Sequence, residues 1–118
     1  MTLGEMESKV IQWHTDRNLI DGSSDIQQFE KLTEEVEELR LSLNADLTPI
    51  DDIGDIMVVL INIATRNNLS LFDCLWHAYG DIKDRKGQMI DGSVTGLMAI
   101  AGAYSWYWVV TLALGMQP

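Results

Sequence analysis

The segment IGDIMVVLINIA, residues 53–64, constrains the fold of this chain more than any other stretch. It follows Thr48, Pro49 and two aspartates, which is typical of a helix start, because proline at the first helical position needs no N–H and acids there face the positive end of the helix dipole. Apolar side chains then occupy nearly every side, so this helix must be covered from several directions. In a chain of 118 residues we expect a second subunit to supply part of that cover, in a homodimer or a homotetramer.

Two further helices are predicted before this segment from their capping residues. Thr2 and Glu5 form a capping-box pattern ahead of a helix over residues 3–18. Ser24 and Gln27 do the same for a helix of roughly 20 residues, in which apolar residues recur every three or four positions.

A fourth helix is predicted over residues 71–86, capped by Ser70 and stopped by Gly87. Strand-like alternation is not recognisable anywhere in the chain. We therefore predict an all-α fold: an antiparallel four-helix bundle-like domain over residues 1–92, followed by an apolar C-terminal segment, residues 93–118, that packs on the bundle or on another subunit.

Composition limits the possible functions. The formal net charge is -10, so a nucleic-acid duplex is excluded as a partner by repulsion from its phosphates. An acidic protein that handles phosphates would need metal ions between the like charges. The single cysteine, Cys74, cannot form an internal disulfide, and no leader-like segment opens the chain. A cytoplasmic location is expected.

Two pairs of acids stand out, Glu35 with Glu38 and Asp52 with Asp55. Residues three apart lie on one face of a helix, and the two helices are joined by a short loop, so four carboxylates are expected to converge. Such a group repels itself unless a cation neutralises it, and carboxylate oxygens suit Mg²⁺. The pattern indicates magnesium-assisted phosphate chemistry.

Plainer explanations remain for parts of this pattern. The stretch EEVEEL alone is compatible with a solvated helix face. Gly54, between the two aspartates, costs helix stability and suggests a close approach to the backbone, either by a neighbouring helix or by a substrate.

Three stretches, QFEKLTEEVEEL, DDIGDIMVVLINIA and IKDRKGQMIDG, together resemble the MazG-type all-α nucleoside triphosphate pyrophosphatases over residues 10–92. The resemblance implies hydrolysis of a nucleoside triphosphate to the monophosphate and pyrophosphate, with Mg²⁺ as cofactor. The role that this resemblance implies for the chain is the house-cleaning of nucleotide pools.

The resemblance also implies site residues. Glu35, Glu38, Asp52 and Asp55 match the family's magnesium ligands, although Asp52 replaces the usual glutamate and is one methylene shorter. Glu34 matches the first acid of the family's double glutamate and is either an outer-shell partner or a base that orients water.

Candidate substrate-binding residues follow from charge and from amide or aromatic character. The cations are Lys31, Lys83, Arg85 and Lys86; Lys31 also fits a helical pair with Glu35, and the others also fit a cap on the fourth helix.

Trp13 is either a base-stacking residue or an aromatic residue of the core or of an interface. Asn62 matches an asparagine of the family, and an amide in so apolar a helix needs a partner. His14 and His77 lack partners at metal-ligand spacing and are assigned structural or surface roles, and Cys74 is assigned to the core.

Residues 96–115 contain no charge and approach the length of a membrane span. Serine, threonine, glycines and central aromatics argue against a span, and no basic residue follows to anchor one. The alternative to the enzyme is therefore an acidic helical interaction module, which residues 96–115 could tether to a membrane.

Overall fold

The computed structural model describes residues 1 to 85, and these are all-helical with no strand. The helices are α1 (Leu3–Asp16), α2 (Asp25–Asn44), α3 (Ile50–Arg66) and α4 (Leu71–Ile82). The all-α prediction is thus confirmed for the described residues. The predicted segment 93–118, the stop at Gly87 and Lys86 lie outside them.

Local side-chain caps explain where three of the helices begin. The Thr2 hydroxyl accepts a hydrogen bond from the Glu5 N–H at 3.1 Å. At α2, Ser24 and Gln27 form a reciprocal capping box. At α4, the Ser70 hydroxyl accepts from the Asp73 N–H at 3.0 Å, and the Asp73 carboxylate accepts from the Ser70 N–H at 3.1 Å. Each cap satisfies backbone donors that the first helical turn leaves free.

The predicted ends of two helices differ from the observed ones. α1 ends at Asp16 because Asn18 takes a positive φ of 55°, and the chain folds back so that the Leu19 N–H donates to the His14 carbonyl oxygen at 2.9 Å. α4 ends at Ile82, before the predicted end. Pro49 was predicted to be the first helical residue of α3; it is instead the N-cap, and α3 begins at Ile50.

The connection between α1 and α2 is tied to the end of α3. The Arg66 guanidinium donates to the Asp25 carboxylate at 2.9 Å and also to the Ile20 carbonyl oxygen. Gly22 packs on Asn18 so closely that an added Cβ would collide with its side chain and its carbonyl oxygen. These contacts hold the connection in one conformation.

α3 is the central element, since it packs against both α1 and α2. Its buried apolar residues are Val59, Ile61 and Ala64. Other apolar side chains of the described residues stay largely exposed, among them Phe29, Val36 and Leu43 on α2, Ile53 and Leu60 on α3, and Leu3 and Met6 on α1. Packing among residues 1 to 85 therefore covers α3 only in part.

The chain divides into two units, Met1–Leu75 and one that begins at Trp76. In the first unit Glu7 reaches α4, where its carboxylate accepts from the Leu71 N–H at 2.9 Å. Cys74 is exposed; its assignment to the core is wrong, because no residue of α4 is buried. Among residues 1 to 85, no helix combines the length and apolar character needed to cross a membrane.

Candidate metal centre

Glu35 is the buried acid of α2, with only 8% of its side chain exposed. Its Oε1 lies 3.1 Å from the Lys31 Nζ, one helical turn earlier. Its Oε2 is buried and has no hydrogen-bond partner among residues 1 to 85. A buried carboxylate oxygen without a partner is costly, so this atom requires a donor or a cation.

Three acids converge around this atom. Glu35, Glu38 and Asp55 each contribute one carboxylate oxygen, and the three oxygens lie within 4.8 Å of one another. Glu35 and Glu38 share a face of α2, and Asp55 comes from α3, which packs against α2. We call these three residues the acidic triad.

Of the four predicted ligands, Asp52 is the one that the structure does not place in the triad. It lies close enough for its charge to raise the pKa of Glu38 and of Asp55, although other causes are larger for both.

The two exposed members of the triad resist ionisation. The pKa of Glu38 is raised above its ordinary value by Glu35. The larger cause is the hydrogen bond that the protonated Glu38 carboxyl donates to Glu35, and the next is the negative charge of Glu35. The pKa of Asp55 is raised first by partial desolvation of its carboxylate and then by the charge of Glu35. Repulsion of this kind is relieved by a cation at the point where the carboxylates meet.

Lys31 supplies part of the missing positive charge. Its ammonium group contacts Glu35 at 3.1 Å and Glu34 at 3.4 Å, and these two carboxylates raise its pKa. Glu34 itself is exposed and outside the triad. The predicted pairing of Lys31 with Glu35 is therefore present, and Lys31 fixes the orientation of the buried carboxylate.

A cavity of about 430 Å³ opens beside the triad. Acidic, basic, amide and aromatic side chains line it together with apolar ones: Trp13, His14, Leu19, Gln28, Lys31, Glu35, Asp55, Val58 and Val59. We call this cavity the cleft. Its combination of an apolar wall and a few polar groups is typical of small-molecule sites.

Behind the cleft, a buried hydrogen-bond network joins α1 to α3. The His14 Nε2 lies 2.9 Å from the Val58 carbonyl oxygen, which can only accept, so Nε2 carries the proton. The Nδ1 atom then accepts from the Asn62 amide at 3.2 Å. The same amide donates to the Leu19 carbonyl oxygen at 3.0 Å.

Asn62 is completely buried, and no atom in the described part of the chain forms a hydrogen bond with its Oδ1. Both amide hydrogens are used to hold His14 and Leu19, two residues that line the cleft. Its contact with a substrate stays a prediction. The contact between Asn62 and His14 was not predicted from the sequence, although the spacing of Glu7, Val10 and His14 on α1 marks the inner face of that helix.

The remaining predicted substrate residues belong to both units of the chain. Trp13 lines the cleft and is 44% exposed. Lys83 and Arg85 follow the end of α4, in the unit that begins at Trp76, and Lys86 is outside the described residues. Their roles stay predictions.

Comparison with known proteins yields one relative of unassigned role. The chain is 35% identical over 69 residues to the "Uncharacterized 18.2 kDa protein in rep-hol intergenic region" of Haemophilus phage HP1 (strain HP1c1). The match covers 57% of this chain and 42% of the phage protein, so the chain spans less than half of that relative. No protein-family model and no solved structure matches the chain.

Proposed function

We propose that this chain is a nucleoside triphosphate pyrophosphatase that uses Mg²⁺. The observation that carries the proposal is the buried Glu35 Oε2, which lacks a partner and belongs to a triad of carboxylates. The donor set is all oxygen, as hard cations prefer. A purely solvated acidic face would leave its carboxylates exposed.

The resemblance to the MazG-type enzymes supports the same chemistry from a separate direction. The motif carries Glu35, Glu38 and Asp55 at the positions of the family's ligands, and these three residues form the triad. Asp52, the position at which the chain departs from the family pattern, is the predicted ligand outside it. We propose that Asp52 acts through its charge or through a bridging water.

The triad would hold Mg²⁺ next to the phosphates of a substrate in the cleft. When bound, the cation would neutralise phosphate charge and lower the pKa of water. Lys31 keeps Glu35 in its binding orientation. Glu34, which shares the Lys31 ammonium group with Glu35, is the proposed outer-shell partner or water-orienting base.

The reaction is a hydrolysis. A water oxygen forms a bond to the α-phosphorus, the bond from that phosphorus to the oxygen bridging to the β-phosphorus breaks, and pyrophosphate leaves. The nucleoside monophosphate is the second product. The protein contributes mainly positioning and electrostatics, and a cytoplasmic role in clearing unwanted nucleotides fits this chemistry.

The exposed apolar surface supports the proposal of a homo-oligomer. Phe29, Val36 and Leu43 recur at seven-residue spacing on one side of α2, and each is about half exposed. Patches of this kind mark interfaces. We propose a homodimer or homotetramer, which sedimentation of the chain as a monomer would contradict.

The deciding experiment is a panel of nucleoside triphosphates, both common and chemically modified, incubated with the chain and Mg²⁺. Pyrophosphate and monophosphate are detected separately. We expect equal amounts of both from at least one substrate, and none from the Glu38→Gln variant. Release of neither product from any member of the panel would overturn the proposal.

The same exposed apolar residues favour a second candidate, an acidic helical interaction module. Residues 96–115, which lie outside the described part, could tether such a module to a membrane. In that case the carboxylates only provide solubility. Magnesium distinguishes the two, because a module without a metal site gains no stability from it.

A further inference from the structure

α1 presents Lys9, Trp13 and Arg17 at intervals of four residues, so the three side chains form one stripe along the helix and its C-cap. All three are exposed. The stripe combines two cations with an aromatic ring in a chain of net charge -10.

The cations of this stripe differ from the other basic residues of Met1–Leu75. The others are held by carboxylates: Lys31 by Glu34 and Glu35, Arg40 by Glu37, and Arg66 by Asp25. Lys9 and Arg17 form no ion pair with any carboxylate among residues 1 to 85. An anionic ligand that binds them therefore does not have to displace a carboxylate.

Arg17 and Trp13 are arranged as a stacked pair. The guanidinium carbon lies 4.3 Å from the centroid of the indole ring, and the guanidinium also donates to the Trp13 carbonyl oxygen at 3.1 Å. This cation–π contact holds the guanidinium over the ring and leaves its other N–H groups available to a ligand. The indole and the His14 ring form an edge-to-face contact, with their ring centroids 5.3 Å apart.

The stripe adjoins the triad through a second cavity. This cavity, about 380 Å³, is lined by Lys9, Val10, Trp13, Asp55 and Val58. Trp13, Asp55 and Val58 also line the cleft. Trp13 therefore borders both cavities, and Lys9 shares one of them with an acid of the triad.

We propose that Lys9, Trp13 and Arg17 form a nucleotide-binding face, in which Lys9 binds the phosphates, the indole stacks on the base and Arg17 contacts the base or the sugar. This inference rests on the proposed function. Lys9 shares a cavity with Asp55, so it takes the phosphates. Arg17 lies on the indole about 12 Å further along the helix, so it contacts the base or sugar end.

The test measures binding without turnover. The four common deoxynucleoside triphosphates, with an imido group between the α- and β-phosphorus, and inorganic triphosphate are titrated in the presence of Mg²⁺ by calorimetry. The variants are Lys9→Gln, Arg17→Gln, Trp13→Ala and Trp13→Phe. Arg40→Gln is the matched control, because it removes the same charge from a guanidinium held by Glu37.

We expect Lys9→Gln to weaken both the nucleotides and inorganic triphosphate by roughly 3- to 10-fold. Trp13→Ala should weaken the nucleotides by roughly 10-fold and leave inorganic triphosphate unchanged, because only a base can stack. Trp13→Phe should restore part of the nucleotide affinity. Arg17→Gln should weaken the nucleotides alone, and Arg40→Gln should weaken nothing.

Two results would overturn the binding face: parent-like affinity in both Lys9→Gln and Arg17→Gln, or no binding of any imido nucleotide to the parent chain. Parent chain that binds imido nucleotides through these residues, yet releases no pyrophosphate from the hydrolysable compounds, would refute the proposed hydrolysis and support the binding face. The measurements therefore distinguish failure of the binding face from failure of the proposed hydrolysis.

Discussion

The Asn62 side-chain amide lies 3.2 Å from the His14 Nδ1 and donates to it, joining α3 to α1 inside the protein. Both side chains are at most 2% exposed. The same amide holds the Leu19 carbonyl oxygen, so one residue secures two lining residues of the cleft.

Replacement of this amide should be strongly destabilising. Asn62→Leu keeps the volume similar but leaves the His14 Nδ1 and the Leu19 carbonyl oxygen buried without a donor. We expect a loss of about 2 to 4 kcal/mol in the free energy of unfolding, measured by urea denaturation. Asn67→Ala is the control, because its amide is exposed, and it should cost less than about 1 kcal/mol. An equal loss in both variants would show that the buried network has no special weight.

Magnesium should raise the melting temperature of the parent chain. Binding to the folded state alone adds about 2.7 kcal/mol at a concentration 100 times the dissociation constant. Glu38→Gln and Asp55→Asn each remove one carboxylate of the triad and should abolish the rise. Glu30→Gln removes an exposed carboxylate of the same helix outside the triad and should retain it. Identical magnesium responses in all three variants would exclude the metal site.

The stability of the metal-free chain should depend on pH through the triad. The pKa of Glu38 and the pKa of Asp55 are raised in the folded state, so these two groups bind more protons in the folded chain than in the unfolded chain between about pH 4 and their folded pKa values. Their contribution is therefore fully present below the unfolded pKa and is lost as the pH rises through the folded pKa.

The double variant Glu38→Gln/Asp55→Asn cannot ionise at these positions. In a chelator, its stability should match that of the parent near pH 4 and exceed it near pH 7, as followed by urea denaturation at both values. With Mg²⁺ present the parent should regain the difference at pH 7, because the cation competes with protons for the carboxylates. A constant difference between the two chains at both pH values would contradict the repulsion.

Gly54 should tolerate a methyl group. An added Cβ meets no atom of the described chain within 4 Å, and the residue lines an open groove of about 440 Å³ between α1 and α3. Gly54→Ala should therefore raise the free energy of unfolding by about 0.5 to 1 kcal/mol through helix propensity alone. Thermal melting of dilute protein measures it, with Gly80→Ala on α4, also in open space, as the comparison. A destabilised Gly54→Ala chain would show that the groove is filled in the assembled protein.

The sequence by itself determined the four helices and where three of them begin. Thr2, Ser24 and Ser70 cap helices as predicted, because a cap depends on a side chain and a backbone N–H only three residues apart. The helical pairing of Glu35 with Glu38 and with Lys31 is local for the same reason.

Only the tertiary structure decided which acids meet and which polar groups are enclosed. Asp55 joins the triad and Asp52 does not. His14 reaches Asn62, and Glu35 is buried with one oxygen unsatisfied. These outcomes depend on how α1, α2 and α3 are rotated and displaced against each other, by distances of a few ångströms. Spacing along one helix contains no information about that placement, because it is set by the packing of side chains from separate parts of the chain.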